Sequence, residues 1–195
     1  MMASKHCDRA AKWPRILAAR AADFAGNARG LAAVEFALIV PVMITLYFGT
    51  VETTNALTAA RRVTNVAETA ADLTAQSASV SSSDINDIFA ASTAILTPFS
   101  TSAVKIVISS VVASSSNASS TTVAWSKAYG GATARANNSS VTLPTGLTTA
   151  GSSVIMVEVT YTYTSPIGTF ITGPITMSEV AYLKPRRSTS VALTS

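Results

Sequence analysis

The chain has 195 residues with a formal net charge of +4, and only 12% of its side chains are charged. That length accommodates one domain with a modest core plus appendages, and the positive mean hydropathy of +0.37, with a heavy load of Ser, Thr and Ala, points to a membrane anchor joined to a polar, β-rich body, not to a soluble enzyme. Six basic and two acidic side chains fall within residues 1–30, leaving eight of each beyond. The basic isoelectric point therefore describes that segment alone and makes no case for a nucleic-acid-binding body.

The first segment, MMASKHCDRAAKWPRILAARAADFAGNARG, is Ala-rich and broken by Pro14 and Gly26. It reads as a basic cytoplasmic leader over 1–30. It holds the only cysteine, Cys7, beside the only histidine, His6. A single cysteine excludes an intrachain disulfide and a Cys-based metal site, and a lone Cys-His pair at a terminus lacks the scaffold that a nucleophile and its base require.

An apolar run from Leu31 to Val51 follows, 21 residues, or about 31 Å as a helix. This matches the ~30 Å hydrocarbon thickness of a bilayer and predicts one transmembrane helix over 31–51. Positive charge crowds its N-terminal side, whereas Glu52 comes first on the other, so the positive-inside bias places the N-terminus in the cytoplasm and the remainder outside it. The run is longer than the ~7–15 residues usual in the apolar part of a cleaved signal peptide, although Ala56 to Ala59 mimics a cleavage site.

Helical periodicity continues over 52–77, with apolar positions at Leu57, Ala60, Val63, Val66, Ala67, Ala70 and Leu73 in steps of three and four. So narrow an Ala-rich stripe suits either the support of a sheet or packing against copies of itself. Ser79 to Ser83 reads as a flexible break. Ser83 or Asp84 then caps a short helix with Ile85, Ile88, Phe89 and Ile95 inward, ended by Pro98.

Beyond Pro98 the period changes to two. AVKIVISSVVA, TTVAWSKAY, SSVIMVEVTYTYTS and ITMSEVAYL read as strands rich in β-branched and aromatic residues, with a long polar loop from Gly130 to Gly151. Four strands without intervening helices predict an antiparallel sheet covered by the helix stripe, an α+β arrangement. The periplasmic α+β domain is expected over 78–187, with a tail at 188–195.

No catalytic constellation survives weighing. No histidine lies beyond residue 6 to activate a serine, and phosphate-cradling loops, zinc spacings and EF-hand loops are absent. No cofactor, metal or small-molecule substrate is expected. Asp84 and Asp87 fit the charge preference of a helix N-terminus, and Trp125, Tyr161 and Tyr163 fit core packing better than a ligand cage. The triplets at Asn117 and Asn137 match glycosylation acceptors formally but read more simply as polar turns, and Lys184, Arg186 and Arg187 as a solvated end.

Glu35 is the exception, because a carboxylate within a span costs roughly 2.5–3.5 kcal/mol at its centre, less near its end, and marks a functional site by default. Gly30 precedes it by five positions, Phe36 follows, and the basic leader lies before. This pattern resembles the type IV prepilin processing site, and Glu35-Phe36 resembles its Flp/Tad (tight adherence) branch. The whole run RGLAAVEFALIVP, Arg29 to Pro41, is similar to the TadE/TadG-like pseudopilins, as are VEVTYTY from Val157 and AYLKPR from Ala181.

The resemblance implies cleavage of the Gly30–Leu31 bond by a membrane-embedded prepilin peptidase, a mature N-terminus at Leu31, and pairing of its α-amino group with Glu35 of a neighbouring subunit. It implies a helix kinked or loosened at Pro41. It also implies a non-enzymatic minor pseudopilin of the bacterial inner membrane, with other Tad pilus subunits and the inner-membrane assembly platform as partners, and a role in adhesion and biofilm formation. The alternative expectation is an uncleaved single-pass protein whose periplasmic β domain binds a partner or senses the envelope. A secreted adhesin beginning near Ala60 is a third.

Overall fold

The computed structural model describes residues 28–165 and 173–194; the expected leader, apart from its last three residues, lies outside them. Helix α1 spans Ala28–Ala75, 48 residues. The chain divides into two compact units, Met1–Thr50 and Val51–Ser195, and the character of α1 changes between them.

Within the first unit no side chain from Gly30 to Thr50 is buried, although nearly all are apolar. The most hydrophobic 18-residue stretch of Gly30–Ala75 reaches a mean hydropathy of 2.2. The helix is thus long and apolar enough to cross a membrane. A helix stretch that is apolar all round and exposed suits an apolar solvent or apolar neighbours.

Within the second unit the helix is amphipathic. Ala59, Val63, Val66, Ala67, Ala70, Ala71 and Ala75 are buried in the steps of three and four that keep one face inward. The expected stripe is recovered at its centre but rotated: Leu57 is 58% exposed and alanines take the inward positions at both ends. Small side chains there let the helix backbone lie close to the sheet, which is why the stripe needs no large residues.

After α1 comes β1, Ser79–Ser81, where a flexible break was expected, and then α2, Ser82–Ala94. The N-cap of α2 is Ser81, two residues before the nearer expected cap. Its hydroxyl accepts the Asp84 amide at 3.2 Å, and the Asp84 carboxylate accepts the Ser81 amide at 2.8 Å, a reciprocal pair that satisfies two donors otherwise orphaned at a helix start. Asp84 is therefore the third helical residue, not the cap. Ile85, Ile88 and Phe89 point inward as expected.

Strands β2 (Val104–Ala113), β3 (Thr121–Tyr129), β4 (Ser153–Tyr163) and β5 (Ile175–Leu183) form one antiparallel sheet in the order β3-β2-β4-β5. The inner face, with Val104, Ile106, Ile108, Trp125, Val157, Val159, Tyr161 and Tyr163, shares one core with the α1 stripe and α2. A register shift between Ser110 and Val111, where Ala124 of β3 is left without a partner on β2, turns Val123 to the outer face, where Val111, Val123, Val141 and Met156 form a second, smaller core. The 130–151 loop covers part of that face, so it is more than a polar connection.

Gly130 opens this loop at φ +68°, and a Cβ there would lie 1.9 Å from the Val104 carbonyl oxygen. Only glycine fits.

The last strand, β6, Ala192–Thr194, pairs in parallel with β1. Val191 before it is 1% exposed, its carbonyl accepts the Trp125 indole Nε1–H at 2.7 Å, and the Thr189 carbonyl accepts the Ser153 hydroxyl at 2.8 Å. The residues expected as a tail at 188–195 are, through Thr194, part of the packed domain.

Candidate processing and membrane-anchoring segment

Gly30, Leu31, Glu35, Phe36 and Pro41 all lie on α1 within the first unit. A Cβ added at Gly30 would meet nothing within 4 Å, and its φ is not in the left-handed region. The fold therefore supplies no steric reason for glycine here, and a good helix former would cost less by roughly 1 kcal/mol.

Leu31 and Glu35 are four residues apart, hence on the same face one turn from each other. Phe36, 70% exposed, lies on an adjacent face. The Glu35 side chain is exposed and meets no cation within its own unit among the described residues.

Pro41 sits inside the helix, where it lacks the amide that would bond the Ala37 carbonyl. One turn on, the Thr45 hydroxyl donates to the Pro41 carbonyl at 2.8 Å, and the Thr50 hydroxyl donates to the Leu46 carbonyl at 2.8 Å. Both hydroxyls are thereby satisfied internally, as an apolar surround demands.

One buried acid in the second unit was not singled out by sequence reasoning. Glu52 is 5% exposed; its Oε2 accepts the Ser165 hydroxyl at 2.6 Å, while its Oε1 has no hydrogen-bond partner among the described residues and the buried Tyr163 hydroxyl lies close to the carboxylate. Burial pushes the Tyr163 phenol above its ordinary pKa, and the nearby Glu52 carboxylate adds to the rise. The available sequence signal was the position of Glu52 as the only charge between Glu35 and Arg61.

On the outer sheet face Arg135 clamps Glu158 through two bonds, Nε–Oε2 at 2.8 Å and Nη2–Oε1 at 2.6 Å. The paired carboxylate raises the Arg135 pKa, and the clamp ties the 130–151 loop to β4. Asp72 holds Arg186 at 2.5 Å. These pairs are structural ties, and among the described residues no group of three or more metal-ligating side chains is assembled.

No curated protein and no solved structure matches the chain. The family model described as TadE-like protein matches residues 30–72, beginning at the glycine that the fold does not require and running through Glu35, Phe36, Pro41 and the buried stripe. Over residues 30–72 the chain is thus similar to the TadE-like family.

Proposed function

We propose that this protein is a non-enzymatic structural or assembly component, a minor pseudopilin, of a Flp/Tad-type pilus. It is inserted in the bacterial inner membrane with its N-terminus cytoplasmic and its α+β body periplasmic, cut after Gly30 by prepilin peptidase, and then incorporated into the pilus or used to prime it. Its partners are that peptidase, the other Tad subunits and the inner-membrane platform; its contribution is to pilus biogenesis, adhesion and biofilm formation.

The observation that carries this reading is the coincidence, at one point of the chain, of a glycine that meets nothing where a Cβ would go, the start of the match to the TadE-like family and the start of the exposed apolar stretch of α1. Cleavage there would remove six cations at once. It would also leave a Leu31 α-amino group, with an ordinary pKa of about 7.7–8.0, close to lipid. That cation needs a partner, and Glu35 of a neighbouring subunit supplies one at low dielectric, where attraction is strong but desolvation offsets much of it. The pair acts mainly as a register device.

The test is the intact mass of the protein co-expressed with the cognate prepilin peptidase. The expected product lacks residues 1–30, and Gly30→Ile leaves the chain whole. An unchanged wild-type mass beside active peptidase overturns the proposal and favours an uncleaved single-pass protein.

A further inference from the structure

The two edges of the sheet are treated differently. Along β3, the Val123 amide donates to the Ser139 carbonyl at 3.0 Å, the Asn138 amide to the Val123 carbonyl at 2.8 Å, and the Val141 amide to the Thr121 carbonyl at 3.2 Å. A Thr122–Ser140 bridge completes the cover. Half of that edge is capped by the protein's own loop.

The β5 edge is open. Among the described residues β5 is hydrogen-bonded to β4 alone, in unbroken register over all nine residues, and no loop amide or carbonyl reaches it. It contains no Pro and no Gly, and no bulge twists it away. Proteins ordinarily blunt a regular edge of this length.

Its side chains say what would pair with it. Register with β4 puts Ile175, Met177, Glu179, Ala181 and Leu183 on the inner face and Thr176, Ser178, Val180 and Tyr182 on the outer. Ile175, Met177 and Leu183 border the main core and are only partly buried, and among the described residues no strand lies beyond them. Glu179, opposite Val159, is the only charge on the strand, and it makes no ion pair or hydrogen bond among the described residues.

We propose that the β5 edge is a strand-addition site for an extended segment of another protein chain, apolar at alternate inner-face positions and carrying Lys or Arg opposite Glu179. Main-chain bonds to the edge give affinity, and the alternate side chains give specificity. The added strand extends the core past Ile175, Met177 and Leu183 and neutralises Glu179. A second copy of β5 is a poor occupant, because the centred antiparallel register sets Glu179 against Glu179, and like charges directly opposite are destabilising. Association through β3 meets the capped edge.

Two acetylated nonapeptides test this with the full-length protein in detergent micelles. Both alternate valine and threonine; one carries lysine and the other glutamate at the central position. The lysine peptide is expected to bind about fivefold more tightly, to protect alternate β5 amides from hydrogen exchange, and to leave β3 unchanged. Glu179→Lys reverses the preference, and Glu179→Gln nearly abolishes it. Equal binding of the two peptides, protection away from β5, or dimers formed through β5 while neither peptide binds would each overturn the proposal.

Discussion

At the scale of single residues, packing among the described residues gives no reason for Gly30 or Glu35. Gly30 has open space where a Cβ would go, and the Glu35 carboxylate is exposed on an otherwise apolar helix surface. Both were legible in the sequence, because a charge in an apolar run and a glycine five residues before it need no tertiary information to be anomalous. If Glu35 acts in subunit pairing and not in recognition by the peptidase, Glu35→Gln yields cleaved protein but impaired piliation. Mass spectrometry and electron microscopy of the same strain separate the two steps, and normal pili from the variant would remove the charge-pairing role. Glu52 is the contrasting case. Its sequence position suggests an interfacial charge, yet it is buried beside Tyr163 and Ser165, and only the return of β4 to the start of the domain brings those groups together.

At the scale of elements, periodicity located the four strands of the main sheet and both helices but not β1, β6, the helix caps or the rotation of the α1 stripe. A step of three or four identifies an apolar face, whereas the orientation of that face within some tens of degrees depends on what it meets; hence the outward Leu57 and the inward Ala71 and Ala75. The start of α2 shows the same limit, since Ser81, Ser83 and Asp84 are all acceptable caps by residue type. Reciprocal bonding selects Ser81 with Asp84 three positions on. Those bonds hold the Asp84 carboxyl below its ordinary 3.8, the Ser81 backbone amide being the larger cause and its hydroxyl the smaller. A lowered folded pKa means stability that is present above the unfolded value and lost as pH falls through the folded one. Asp84→Ala is therefore expected to lower the melting temperature at neutral pH, with the difference from wild type shrinking as the pH is taken below 3.8. Thermal melts of both proteins across that range check it, and a difference independent of pH would mean that the carboxylate charge is not what the cap uses.

At the scale of the whole molecule, the second unit closes on itself through its last residues. The segment after β5 ties Arg186 to Asp72 and to the Ala75 carbonyl, buries Val191 and ends in a strand paired with β1. Deletion of 188–195 is expected to destabilise the domain by about 3–5 kcal/mol, from the lost Val191 burial, the orphaned Trp125 Nε1–H and the unpaired β1. Urea denaturation of the detergent-solubilised protein measures this, and a change under ~1 kcal/mol would mean that the segment is the solvated tail its composition describes. The same closure commits the Ala-rich stripe to the sheet. Of the two uses open to that stripe, support of a sheet or packing against copies, the buried positions from Ala59 to Ala75 serve the first, which leaves contacts between copies to other surfaces.

The sequence alone determined the apolar span, the anomaly at Gly30 and Glu35, and the succession of the two helices and the four strands of the main sheet, because each depends on residue type and local spacing, and those operate without a partner. Tertiary structure alone decided which residues cap α2, that Glu52 is buried, that the final residues are core, and that one sheet edge is capped while the other is open. Each of these is a contact between segments far apart in the chain, and its free energy is set by what arrives from elsewhere, which local pattern does not encode.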